Sequence, residues 1–269
     1  MTLFAKILKK WKADQCGNPA LRLPEFEYNN HPTINRIIFI CGLHRSGTTL
    51  LERLLSSKFD VSYLRASVPE SEGQHMQSVY KPAYEYGGPG RFAFSEQAYQ
   101  DVEALTDFHM HRNKITDEWK NFVVGKSEVL LEKSPPNLIK IDWLRRVFPG
   151  SQFVIMTRDP RAVAAATLKW SKSSLPELMM HWGAAHSQAL KAFRERDCTI
   201  VRYEDLIKDS NYELERTAHF LGLEARKRCS ALEERHIELV NTNEKYIKAH
   251  AGARYGSGIW NHFGYDLSS

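Results

Sequence analysis

Residues 42 to 49 read Gly-Leu-His-Arg-Ser-Gly-Thr-Thr. Two glycines separated by four residues, then two hydroxyl residues, describe a turn whose backbone N–H groups can cradle an anion. Ser46 and Gly47 belong to the turn itself, and Thr48 and Thr49 add hydroxyl donors at its exit. Arg45 adds a planar fork of N–H groups that suits phosphate-like oxygens. The spacing agrees with the phosphate loop GxxxxGK[ST] at every fixed position but one. Thr48 stands where nucleotide-hydrolysing proteins keep the lysine that reaches the β and γ phosphates.

Other reactive side chains are scattered along the chain. Lys133 and Ser134 follow the apolar run Val129-Leu130-Leu131, Arg158 and Asp159 follow Phe153 to Met156, and Tyr203-Glu204-Asp205 closes the run from Thr199. Glu70, Glu72 and His75 lie in the stretch 66–95, which carries Pro and Gly throughout. Such a long excursion is uncommon unless it is functional. An acid that takes a proton works best with its pKa moved toward the operating pH, so a base here is expected in a partly desolvated site. Asp159, between Arg158 and Pro160, reads as the cap of the next helix rather than a metal ligand.

The elements that must position these residues follow from periodicity. Strands are expected over 36–41, 129–131, 153–156 and 199–203, with helices over 48–57, 96–121, 137–147, 161–171, 175–195, 211–221 and 224–239. Short apolar strands alternating with helices predict an α/β fold, with a central parallel sheet flanked by helices on both faces. Ligands of such sheets bind beyond the carboxyl ends of the strands. That topology brings the loop 42–49, Lys133, Arg158 and Tyr203 to one rim.

Residues 1–35 are expected to form an N-terminal helix and a connector, and residues 36–269 a single nucleotide-binding domain. Phe4, Ile7, Leu8 and Trp11 recur at helical spacing among lysines, so residues 2–13 suit either a helix packed on the domain or a peripheral contact with an anionic membrane. The stretch has no small-residue cleavage site, which speaks against a secretory leader and for a cytoplasmic protein. Of 269 residues, 42% are hydrophobic and 26% charged, ordinary for a soluble domain. The formal charge of +5 is spread along the chain and gives no reason to expect a nucleic-acid partner. Four isolated cysteines predict buried thiols rather than a disulfide framework, and the histidines show no metal-binding spacing.

The segment from Ile38 to Leu55, IFICGLHRSGTTLLERLL, resembles the 5′-phosphosulfate loop of the sulfotransferases, in the form used by the tyrosylprotein branch. Four further segments are similar to that family in the same order: LLEKSPPNLIKI, VIMTRDPRAVAAATLKW, VRYEDLIKDSNYELERTAHFLGL and ARYGSGIWNHF. The resemblance runs from about residue 36 to the C-terminus. It implies 3′-phosphoadenosine 5′-phosphosulfate (PAPS) as sulfuryl donor, with no γ phosphate to reach and no metal.

It also implies roles. Arg45, Ser46, Gly47, Thr48 and Thr49 would hold the 5′-phosphate, helped by Lys133, and Arg158 would take the 3′-phosphate. The family's second 3′-phosphate ligand is a serine eight residues later. Here that position is Ala166, so Thr167 and Arg254 become the candidates. Tyr203 resembles a residue that contacts adenine. The placement of the acids resembles the branches that use a Glu base; Glu72 in Glu-x-Gln is the preferred base, with Glu70 and His75 as alternatives. The acceptor, a hydroxyl or amine on a small molecule, glycan, lipid or peptide, stays open, as does the oligomeric state. Two rival readings are a nucleotide kinase or NTPase with an atypical loop, and a nucleotide-binding module without catalysis.

Overall fold

A computed structural model of the chain describes residues 33–226 and 239–267. The expected N-terminal helix and nearly all of the connector lie outside these residues, as does most of the expected helix at 224–239. Six strands form one sheet in the order β3-β2-β4-β1-β5-β6. They are β1 (Arg36–Cys41), β2 (Ser62–Leu64), β3 (Val123–Val124), β4 (Val129–Lys133), β5 (Gln152–Thr157) and β6 (Cys198–Arg202). β1 pairs in parallel with both β4 and β5, β2 with β4, and β5 with β6; only the short edge strand β3 runs antiparallel, against β2.

Burial on both faces explains why the inner strands read as continuous apolar runs. Phe39 and Cys41, Leu130, and Phe153 and Ile155 enter one core. Ile38 and Ile40, Leu131, and Val154 and Met156 enter the other. The second core is closed by helices α1 (Thr48–Lys58), α7 (Tyr203–Lys208) and α8 (Ser210–Leu221) through Leu51, Leu55, Leu206, Leu214 and Leu221. The first is closed by α3 (Phe108–Lys120), α4 (Ile141–Val147), α5 (Pro160–Thr167) and the long α6 (Leu175–Ala192), with the fully buried Trp119 and Trp182 as the largest pieces. Cys41 and Cys198 are free and buried, as expected.

Several boundaries differ from the pattern-based expectation. The helix expected over 96–121 is two helices, α2 (Glu96–Glu103) and α3. Asp107 accepts from Met110 N–H and starts α3 afresh, while the Leu105 carbonyl accepts from the Trp143 indole instead of continuing a ladder. The helix expected over 137–147 begins as a 3₁₀ turn, Pro135–Ile139, and becomes α-helical only from Ile141. The helix expected over 161–171 ends at Thr167 and tightens into a 3₁₀ turn, Leu168–Trp170. The excursion 66–95 contains four short 3₁₀ turns and folds down over the carboxyl end of the sheet. Among the described residues, no helix is long and apolar enough to cross a membrane.

Candidate active site

The loop after β1 is closed by its own serine. Ser46 N–H and Oγ–H both donate to the Leu43 carbonyl, at 3.1 and 2.7 Å, and the side chain is fully buried. Ser46 therefore shapes the loop with its hydroxyl turned inward. Arg45 sits at φ 71° and Gly47 at φ 102°. Gly47 has no alternative: a Cβ there would lie 2.8 Å from Met156 Cε and 3.0 Å from the Tyr203 ring. These turns aim the start of α1 into a cleft of about 330 Å³. The first turn of α1 carries no acidic residue, so the positive end of its dipole is free to face an anion.

Two arginines flank this helix end. Arg158, at the end of β5, is held on every side. Nε donates to Asn243 Oδ1 (2.7 Å), one terminal nitrogen to the Arg45 carbonyl (3.0 Å), and the other to Thr242 Oγ1 (2.9 Å). The Tyr203 ring lies 4.2 Å beneath the guanidinium. Three of its five N–H groups are thereby used and two remain without a partner among the described residues. Arg45 lies 4.9 Å from the Trp170 ring and 3.5 Å from the Tyr246 hydroxyl. Its Nε is buried with no hydrogen-bond partner among the described residues. The Arg45 guanidinium lines the cleft beside the start of α1, where its planar donors suit a phosphate or sulfate oxygen.

The third component is acidic. Glu72 is buried, and its Oε2 accepts from Gln74 Nε2 and lies 3.7 Å from His75 Nε2. Its Oε1 is 3.8 Å from Lys133 Nζ, and Lys133, at the end of β4, also donates to the Glu70 carbonyl at 2.7 Å. Burial pushes the Glu72 carboxyl up to about 7, opposed by the Lys133 charge and the Gln74 hydrogen bond. Burial pushes the His75 imidazole down to about 4, so it is neutral near pH 7. Glu70 is exposed at φ 50° and accepts from Thr49 Oγ1 at 3.4 Å.

The cleft thus brings together Arg45, Gly47, Thr48, Thr49, Glu70, Glu72, Arg158 and Tyr203, from four separate segments. Lys133 meets it through Glu70 and Glu72. Thr167 and Arg254 are placed elsewhere. The Thr167 hydroxyl donates back to the Val163 carbonyl at 2.7 Å and faces a small internal cavity beside His44 and His181. Arg254 lines a separate groove with Arg161, Lys248 and His250.

The sulfotransferase family pattern matches residues 37–227, most of the chain. The chain belongs to the sulfotransferase family. It is similar to protein-tyrosine sulfotransferase 2 of Gallus gallus, 26% identical over 202 residues, covering 70% of this chain and 51% of that protein. It is also similar to protein-tyrosine sulfotransferase A of Caenorhabditis elegans, 22% identical over 200 residues, covering 69% and 50%. The chain therefore spans about half the length of these curated relatives. Among solved structures, the sulfotransferase domain of the Synechococcus PCC 7002 olefin synthase shares its fold, with a TM-score of 0.52, 18% identity, and coverage of 90% of this chain and 99% of that one.

Within this sulfotransferase fold, several site residues carry no sequence signal. Thr242 and Tyr246 reach Arg158 and Arg45 from 84 and 201 positions away. Glu52 on α1 is buried against Arg65 at 3.2 Å, and burial pushes its carboxyl up to about 7, opposed first by Lys133. Glu132, fully buried beneath the excursion, accepts from Gly73 N–H (3.1 Å) and from the side chains of Ser134 and Asn137. A buried acid flanked by buried polar groups, as in Glu132-Lys133-Ser134, was the available hint. Its partners depend on how the excursion folds back.

Proposed function

We propose that this protein transfers a sulfuryl group from PAPS to an acceptor hydroxyl, with Glu72 as the base. The observation that carries the reading is the pairing of a buried carboxyl, raised to about 7, with a buried lysine 3.8 Å away, at the rim of an anion-binding loop. The site suits a nucleotide with a phosphate at each end. The loop, Thr48, Thr49 and the Arg45 guanidinium would hold the 5′ end, and the two remaining N–H groups of Arg158 the 3′-phosphate. The Tyr203 ring, packed under Arg158, would border the adenine side.

When bound, such a donor supplies a sulfuryl group whose S–O bond to the 5′-phosphate breaks as the acceptor oxygen bonds to sulfur. A Glu72 oxygen takes the acceptor's hydroxyl proton. A carboxyl near 7 is ionised enough at neutral pH to do so and basic enough to gain by it. Lys133, Arg45 and the helix dipole stabilise the negative charge that gathers on the leaving phosphate. A tyrosine hydroxyl, the group named for the relatives, is one acceptor that this arrangement accommodates; small-molecule, glycan and lipid hydroxyls are others.

The test is thermal stabilisation by 3′-phosphoadenosine 5′-phosphate, against ADP and against ATP with Mg²⁺. A ligand at a hundred times its Kd adds about 2.7 kcal/mol of stability. The expected result is a rise in Tm with the 3′-phosphorylated nucleotide well above that with ADP. Preferential stabilisation by ATP with Mg²⁺ would overturn the donor assignment and favour a nucleotide kinase.

A further inference from the structure

Gln74 is buried to 2% exposure, two residues beyond the proposed base, and it has no part in the reaction as described above. Its carboxamide orientation is determined. Ala83 N–H can only donate, and it meets Oε1 at 2.8 Å, so the amide nitrogen has to point the other way. There it donates to Glu72 Oε2. The Gln74 backbone is anchored as well. Its N–H donates to Ser134 Oγ at 3.0 Å, and its carbonyl accepts from Gln77 Nε2 at 3.1 Å. Ser134 Oγ–H in turn donates to Glu132, the acid that also holds Gly73 N–H. The donor aimed at Glu72 is therefore fixed at both ends, and every polar group of Gln74 has a partner.

We propose that Gln74 is a positioning residue that fixes the Glu72 carboxylate and favours its ionised form, so that the base is charged at neutral pH in a site that otherwise disfavours charge. The proposal rests on the reading of Glu72 as the base. A hydrogen bond donated to a carboxylate is made to the charged form and lost or weakened when that oxygen is protonated. Four ionisable groups face Glu72. Lys133 favours its ionised form, whereas Glu70 and Glu132 oppose it. His75, held neutral by burial, adds no positive charge at neutral pH. Lys133 lies at 3.8 Å, beyond hydrogen-bond distance, so the side-chain donor in direct contact with the carboxylate is the Gln74 amide.

The experiment is a carboxyl ¹³C NMR titration of the full chain labelled at glutamate Cδ, with the Glu72 resonance assigned by its loss in Glu72→Gln. Gln74→Met keeps the length and removes the donor. The Glu72 midpoint is expected to rise by about one to two pH units, the equivalent of one hydrogen bond to a charged group. The Glu52 midpoint, set on a different element, should stay within a few tenths of a unit.

A Glu72 midpoint unchanged in folded Gln74→Met overturns the proposal, and so does an equal movement of Glu52, which would mean general loosening. If Gln74→Met does not fold, Gln74→Glu keeps the acceptor for Ala83 N–H and replaces the donor by a second carboxyl. The pair should then titrate in two separated steps, the upper one above the wild-type midpoint, and a single unmoved Glu72 step overturns the proposal. Undiminished turnover in Glu72→Gln would remove the base reading instead, and the titration would still decide what Gln74 does to Glu72.

Discussion

Replacing Glu72 by Gln should change how stability depends on pH, with a sign and size set by the site. The Glu72 carboxyl is raised from the ordinary 4.5 to about 7 by burial. The folded state therefore holds this proton more tightly than the unfolded chain does. The contribution of the group to stability is fully present below pH 4.5 and is lost as pH rises through 7. The shift of 7 − 4.5 = 2.5 units corresponds to about 3 kcal/mol at 1.36 kcal/mol per unit. Glutamine carries no proton to lose, so Glu72→Gln removes this slope. Any constant penalty, such as leaving Lys133 without its counter-charge, shifts the whole curve and cancels in the comparison. Glu52 and Glu132, also raised by burial, are common to both proteins. The assay is urea unfolding of wild type and variant at intervals from pH 4.5 to 8.5. The stability of wild type minus variant should fall by about 3 kcal/mol across that range, most steeply between 5 and 7, or about 6–12 °C in Tm. A flat difference would mean that Glu72 is ionised throughout. Its basicity would then be that of an ordinary surface acid, and the case for it as the base would fail.

Two further outcomes follow from the donor side of the cleft. The Thr242 hydroxyl accepts from Arg158 at 2.9 Å and so has its own hydrogen to donate beside the two N–H groups that Arg158 has left. Thr242→Val should lower affinity for 3′-phosphoadenosine 5′-phosphate about tenfold and spare AMP, by calorimetry, whereas Thr167→Val should change neither. Gly47→Ala places a Cβ at φ 102°, 2.8 Å from Met156 Cε, so it should destabilise the fold by about 1–3 kcal/mol in urea unfolding and abolish nucleotide-dependent stabilisation.

The sequence exposes those parts of this fold that depend on local chemistry. Strands β1, β4, β5 and β6 are apolar because both faces are buried, and their ends are marked by the switch to Gly42, Lys133, Arg158 and Tyr203. Parallel topology then places those four on one rim before any contact is known. Strand β2 and its antiparallel edge partner β3 are too short, at three and two residues, to show a period. The break between α2 and α3 is hidden because helical spacing continues across it, and the connection is held by Asp107 capping α3 and by the Leu105 carbonyl accepting from the Trp143 indole. Thr167 and Arg254 are reasonable choices by residue type. Helix phase turns the first inward to Val163, and the C-terminal segment carries the second to another groove. Thr242 could not be chosen, because nothing local distinguishes it, and Gln74 enters only as part of the Glu-x-Gln pattern, with no role of its own. Their positions relative to Arg158 and Glu72 arise from tertiary approach.

The rim concentrates ionisable groups that a core would not otherwise tolerate. Glu52, Glu72, Glu132 and Lys133 are each at most 5% exposed, three acids around one lysine. Even with Arg65 beside Glu52 and Lys140 acting on Glu132, burial raises all three carboxyls. The three acids are supported unequally. Glu132 accepts from a backbone N–H and two side chains, a set of donors that fixes a scaffold. Glu52 has an arginine of its own, Arg65. Only Glu72 lines the cleft, held by one amide and facing the shared lysine. The acid with access to the cleft, hydrogen-bonded by one neutral amide rather than by an arginine or a set of donors, is the one left free to exchange a proton with a substrate. That asymmetry, more than any single pKa, separates the base from its buried neighbours.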